Sequence, residues 1–167
     1  MEEETKKRLA NVLDRYDEEQ SGANKQARET KTEQEELLKS FGQLRTKVIR
    51  PIMEDIGIVL KTRGHDYRIV EEDASTDEQG TLKDVMISMY IFPSRSGAKS
   101  TTSDLLHFPH ISFKSDPYWR RIIVHTSNMT PTYSGLPEDH REYSISQITS
   151  ELVEKELIQV VEGILNK

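Results

Sequence analysis

The segment from Leu37 to Leu60 carries Leu37, Leu38, Phe41, Leu44, Val48, Ile49, Ile52, Met53, Ile56, Val59 and Leu60, spaced mostly at threes and fours. Over about six turns that spacing lines one face of an α-helix and fits no strand. A helix so apolar on one side must bury that side, which makes it the strongest constraint on the fold. Gly64 stands where a residue with positive φ ends a helix, and Lys61 and Arg63 fall in the last turn, where cations favour the helix dipole. Pro51 lies inside the stripe, removes one backbone N–H and crowds the turn before it, which predicts a kink or break near Arg50.

Upstream the pattern weakens. Leu9, Val12, Leu13 and Tyr16 put a narrow apolar stripe on an otherwise charged helix over residues 2–20. Ser21-Gly22-Ala23-Asn24 supplies mostly poor helix formers and predicts an interruption. The run from Lys25 to Glu36 is polar apart from Ala27 and can bury almost nothing, so it reads either as helix or as a disordered tether. If residues 25–63 are helical, they span roughly 58 Å at about 1.5 Å each, longer than the roughly 30–35 Å body that the remaining residues would form. A helix that overhangs its body needs a partner, either segment 2–20 folded back as a hairpin or the same helix of a second chain. Residues 1–63 are therefore expected to be a helical arm and oligomerisation segment, with Leu37, Phe41, Leu44 and Val48 pairing chains as a coiled-coil homodimer.

From Asp66 the period changes from 3.6 to 2. Tyr67 and Ile69 suggest a first strand, ended by the acidic, turn-rich stretch Asp73 to Gly80. Leu82 to Pro93 is the best strand, with Val85, Ile87, Met89 and Ile91 alternating with Met86, Ser88, Tyr90 and Phe92; apolar groups on both faces imply a central position. Ser94 to Asp104 reads as a mobile loop, Leu105 to Lys114 and Arg120 to Ser127 as a hairpin about Asp116-Pro117, and 128–141 as irregular. A short strand is expected over Glu142 to Ile145. Thr149 then caps a final helix whose buried face holds Leu152, Val153, Leu157, Val160, Val161, Ile164 and Leu165, with Ile148 stapled against Val153. The expected class is α+β: a long N-terminal helical arm, then a body over 64–167 with an antiparallel sheet of four or five strands and a C-terminal helix packed on one sheet face.

Composition narrows the functional classes. A chain of 167 residues suits one domain with an appended helical segment, and 34% hydrophobic against 31% charged residues fits a chain part of which builds no core. No apolar run approaches about 18 residues and the opening MEEETKKRLA lacks the apolar core of a signal peptide, so a cytoplasmic protein with no membrane association is expected. Zero cysteines exclude disulfides, thiolate metal centres and cysteine nucleophiles. A net charge of −6 argues against sequence-blind nucleic-acid binding, although residues 85–127 carry 5 basic and 2 acidic groups; nucleic acid is permitted as a partner but not favoured. No glycine-rich phosphate loop and no Gly-x-Ser-x-Gly elbow occurs, so no cofactor is expected. Glu71 and Asp73, and Glu54 and Asp55, read as solvated surface acids.

Among the histidines, His107 and His110 have a chelating spacing for a helix but fall on opposite faces of a strand, so no metal site is expected; His65 and His140 read as surface residues. If Pro117 and Tyr118 centre the hairpin turn, His110 faces His125, Ile111 faces Val124 and Phe113 faces Ile122. One face is then apolar. The other gathers His110, Ser112, Lys114, Arg121 and His125, a set able to hold an anion such as phosphate through charge-assisted hydrogen bonds. His110-Ile111-Ser112-Phe113 and His125-Thr126-Ser127-Asn128 each resemble, in part, the histidine-x-serine/threonine element of the two-histidine phosphoesterases. That family carries its two elements far apart on strands of two related halves, whereas here they lie 15 residues apart on one hairpin, so the resemblance implies a site to test and no fold. At the hairpin tip, Tyr118, Trp119 and Arg120 combine aromatic and basic groups, as interaction surfaces do. The expected function is a non-enzymatic, homo-oligomeric interaction or adaptor protein displaying a binding surface on its sheet. The alternative is a protein binding a phosphate ligand or nucleic-acid end, or a phosphoesterase, at the His110/His125 face.

Overall fold

The computed structural model describes residues 2–76, 78, 82–83, 85–96, 105, 108–127 and 139–166. It divides into two compact units, Met1–Glu36 and Leu37–Lys167. Helix α1 (Glu3–Leu44) runs unbroken through Ser21-Gly22-Ala23-Asn24, so the expected interruption does not occur and segment 2–20 does not fold back as a hairpin. One glycine and two weak formers together cost a helix only about 2 kcal/mol, and no proline stands there to remove a hydrogen bond. Every residue described from Glu2 to Glu33 is exposed.

The second unit holds the core. From Leu37 the helix meets apolar partners: Leu37, Leu38 and Phe41 are buried, Phe41 completely. A wide turn over Arg45–Ile49, with the Arg50 N–H bonded to the carbonyl of Arg45, precedes α2 (Arg50–Thr62). Pro51 falls at the start of α2, where its missing N–H costs least, so the break expected near Arg50 takes the form of a loosened helical turn. Gly64 (φ +87°) ends α2: its N–H bonds Lys61 O and that of His65 bonds Leu60 O, the two bonds of a left-handed helix cap.

The sheet has five antiparallel strands in the order β1-β4-β5-β6-β7, where β1 is Asp66–Glu72, β4 Met86–Phe92, β5 His110–Asp116, β6 Arg121–Ser127 and β7 Asp139–Tyr143. A two-residue ribbon, β2 (Ser75–Thr76) with β3 (Leu82–Lys83), lies between β1 and β4 in the chain. The final helix, α3 (Ser150–Leu165), begins at Thr149, whose hydroxyl accepts the Leu152 N–H at 3.2 Å. Ile87, Met89, Ile91, Ile111, Phe113, Ile122 and Val124 on the sheet join Phe41, Ile49 and Met53 below and Val153, Leu157, Val160 and Ile164 of α3 in one apolar cluster. Tyr67 of β1 lies so close to α2 at Gly57 that a Cβ there would overlap its ring, so only glycine fits. Among the described residues no helix is long and apolar enough to cross a membrane.

Leu37 and Phe41, expected to pair chains, are buried in the core of a single chain, and Leu44 and Val48 pack part-buried against the same cluster. From Leu37 on the helix supplies a layer of the body, because the sheet needs cover on its apolar face and α3 alone does not span five strands. Glu71 is likewise not simply solvated: Arg50 Nη1 lies 3.0 Å from its carboxylate and Arg45 Nε 3.7 Å, while Arg45 Nη2 reaches Asp73 at 2.5 Å.

Candidate functional site

Alternation along β4, β5 and β6 sends Ile87, Met89, Ile111, Phe113, Ile122 and Val124 to the helices, and Ser88, Tyr90, His110, Ser112, Lys114, Arg121, His125 and Ser127 to the opposite face. The face expected from the sequence therefore forms. Its register is displaced by two residues: His125 pairs Ser112, and His110 pairs Ser127. A two-residue hairpin centred on Pro117 would need positive φ at its first position, and the proline ring fixes φ near −65°. The chain instead turns over Pro117–Arg120, with Arg120 at φ +54° and Asp116 Oδ1 accepting the Trp119 N–H at 3.3 Å. A displacement of two keeps each side chain on its face, so the cluster survives while its pairs change.

His110 and His125 are diagonal neighbours with ring centroids 5.7 Å apart, and the Tyr90 ring lies 4.9 Å from that of His110. His110 Nδ1 donates to the carbonyl of Phe108 at 3.0 Å. A carbonyl can only accept, so in the neutral ring this places the hydrogen on Nδ1 and leaves Nε2 as the acceptor. Burial, with Glu72 adding to it, raises the Tyr90 phenol above its usual range, so it stays protonated. Ser88 and Ser112 are buried and share a 2.7 Å hydrogen bond. Ser127, 1% exposed, has a buried hydroxyl with no hydrogen-bond partner among the described residues. Ser88, Tyr90 and Ser127 belong to this face and were missed from sequence; the odd-even alternation of β4 and β6 carried the signal, but the strand order did not.

Not every expected member contributes as expected. Arg121 is on the face, yet its guanidinium lies 3.4 Å from Asp116 Oδ2 and also pairs with Glu142, which offsets its charge. Lys114 is exposed on this face opposite Ile123. His140 joins it by pairing with His125 across β6 and β7, its Nε2 3.2 Å from Glu142. His107 lies outside the described residues, as do 97–104 of the expected loop and 128–138 of the irregular stretch. At the tip, Tyr118 and Trp119 are 72% and 65% exposed, edge to face at 5.0 Å, with Arg121 5.9 Å from the Trp119 ring.

A second polar cluster faces the helices. Glu156 of α3, 2% exposed, accepts two bonds from Arg141 and one from the Tyr143 hydroxyl at 2.7 Å. Its place on the buried face was legible, since Glu156 lies three residues after Val153 and four before Val160.

No protein-family model matches this chain, and comparison with the curated proteins and with the solved structures found no match.

Proposed function

We propose that this protein is a non-enzymatic, self-associating interaction module in which residues 2–20 pair copies and the body displays its sheet face and hairpin tip to a partner. One observation carries the reading: Leu9, Val12, Leu13 and Tyr16 are 50–60% exposed in a row along α1. Most of the later helix's apolar side is used by the core, with Ile58 and Val59 left exposed near its end, and the four-residue row on α1 is the longer exposed stripe. Helices gain most of their stability from packing, and a stretch with Gly22, Asn24 and, among the described residues, none buried before Leu37 gains little alone. Tyr118 and Trp119 supply the kind of exposed aromatic contact that dominates protein interfaces. Sedimentation at about 50–200 µM is expected to give an oligomer for the parent and a monomer for Val12→Glu, Leu13→Glu, with the body's melting temperature unchanged. A strictly monomeric parent would end this reading.

The buried Ser127 hydroxyl opposite His110 favours a second reading, a phosphate-containing ligand on the sheet face. The two rings stand 5.7 Å apart, close enough for one anion to reach both. Inorganic phosphate or a nucleoside monophosphate at millimolar concentration should then raise the melting temperature of the parent, and His110→Ala and His125→Ala should each reduce the rise, less than additively together. Equal rises in parent and double variant would leave the face a sheet surface only.

A further inference from the structure

Resting on the reading of residues 2–20 as the self-association segment, we propose that this segment binds the same segment of a second copy antiparallel, about a two-fold axis passing between Val12 and Leu13. The apolar stripe is symmetric under that reversal: Leu9 exchanges with Tyr16 and Val12 with Leu13. Under the same reversal two basic residues exchange with acidic ones, Lys6 with Glu19 and Arg8 with Asp17, while Arg15 exchanges with Ala10. At about 100° per residue, Lys6 and Asp17 flank the stripe on one side and Arg8, Arg15 and Glu19 on the other, with Glu4 about 20° farther from the seam than Arg15. The second flank is visible on the surface, where Arg8, Asn11, Val12, Arg15, Tyr16 and Glu19 line one shallow groove.

An antiparallel pair sets each flank against the same flank of its partner. Lys6 then meets the partner's Asp17 and Arg8 meets the partner's Glu19, each twice by symmetry; the like-charged contact is Arg8 with the partner's Arg15. A parallel, in-register pair sets opposite flanks together, so Lys6 meets the partner's Arg8 and Asp17 meets the partner's Glu19, like charges in both cases, against one favourable contact of Asp17 with the partner's Arg15. Opposite charges beside an apolar seam choose orientation more than they add affinity. Such a contact uses one patch on both copies and closes on itself, which limits assembly to a dimer. With four apolar side chains per copy the interface falls below the roughly 1,000 Å² of a stable complex, so the dimer is weak.

The chain has no cysteine, so engineered cysteines report without background. Leu13→Cys, Leu9→Cys and Tyr16→Cys are oxidised separately, and the last two also as an equimolar mixture with one of them isotopically heavy. In the antiparallel dimer Leu9 lies seven residues, about 10 Å, along the axis from the partner's Leu9, beyond the roughly 7 Å between Cα atoms that a disulfide spans. The expected result is dimer from Leu13→Cys alone, little from Leu9→Cys or Tyr16→Cys alone, and mixed-mass dimer when those two are combined. Cross-linking of Leu9→Cys alone as efficiently as Leu13→Cys would overturn the antiparallel arrangement while leaving self-association standing. Failure of every variant, with a monomer in sedimentation, would overturn both.

Discussion

Phe41→Ala is expected to lower the stability of the body by about 3–5 kcal/mol, the usual cost of removing a buried aromatic ring. Phe41 is fully buried in a single chain, amid Leu37, Leu38, Ile49, Met53 and the sheet, so the loss is intramolecular. Chemical denaturation at two protein concentrations tenfold apart reads it: the midpoint should fall by the same amount at both. A loss that disappears at high concentration would mean that Phe41 lies between chains. Leu13→Ala, on the exposed stripe, serves as the contrast and should change body stability by less than about 0.5 kcal/mol.

Arg141→Ala is expected to be nearly as damaging, at about 3–5 kcal/mol, because it strands a buried carboxylate. Among the described residues, Glu156 would keep only the Tyr143 hydroxyl as partner. Replacing both ends of the pair, as Arg141→Met with Glu156→Leu, should recover much of the loss, since no charge is then left unpaired. Parallel losses for the single and double variants would show that Arg141 acts through its aliphatic stem. Tyr143 adds a pH signature: burial, then its bond to Glu156, raises the phenol above its ordinary value near 10. The folded state thus favours the protonated phenol, so this contribution is whole below pH 10 and is lost as pH rises through the higher folded value. Denaturation between pH 9 and 11 should show a steeper fall for the parent than for Tyr143→Phe.

The sheet face illustrates how far local pattern reaches. Alternation assigned His110, Ser112, Lys114, Arg121 and His125 to one side, and a side-chain period of two protects that assignment against any even displacement. The pairing itself was misread because the geometry that Pro117 forbids in a two-residue turn outweighed the simplest hairpin. Tyr90 and Ser88 entered the cluster only through the pairing of β4 with β5, a contact between segments with no local signal.

Local pattern was enough for the helix from Leu37 that ends at Gly64, the disturbance ahead of Pro51, the capped helix after Thr149 and the two faces of β4, β5 and β6. These follow from caps, breakers and periodicity, which act within a few residues. The strand expected over Glu142 to Ile145, by contrast, forms as β7 over Asp139–Tyr143, and the ribbon of β2 and β3 carried no local signal. What covers each apolar face was decided only in the tertiary structure, because burial depends on what packs there and not on the period that produces the stripe. The stripe at Leu37 and Phe41 was claimed by the sheet, whose open apolar face needed a second layer beside α3. The stripe at Leu9 to Tyr16, with the same spacing and fewer members, was left exposed.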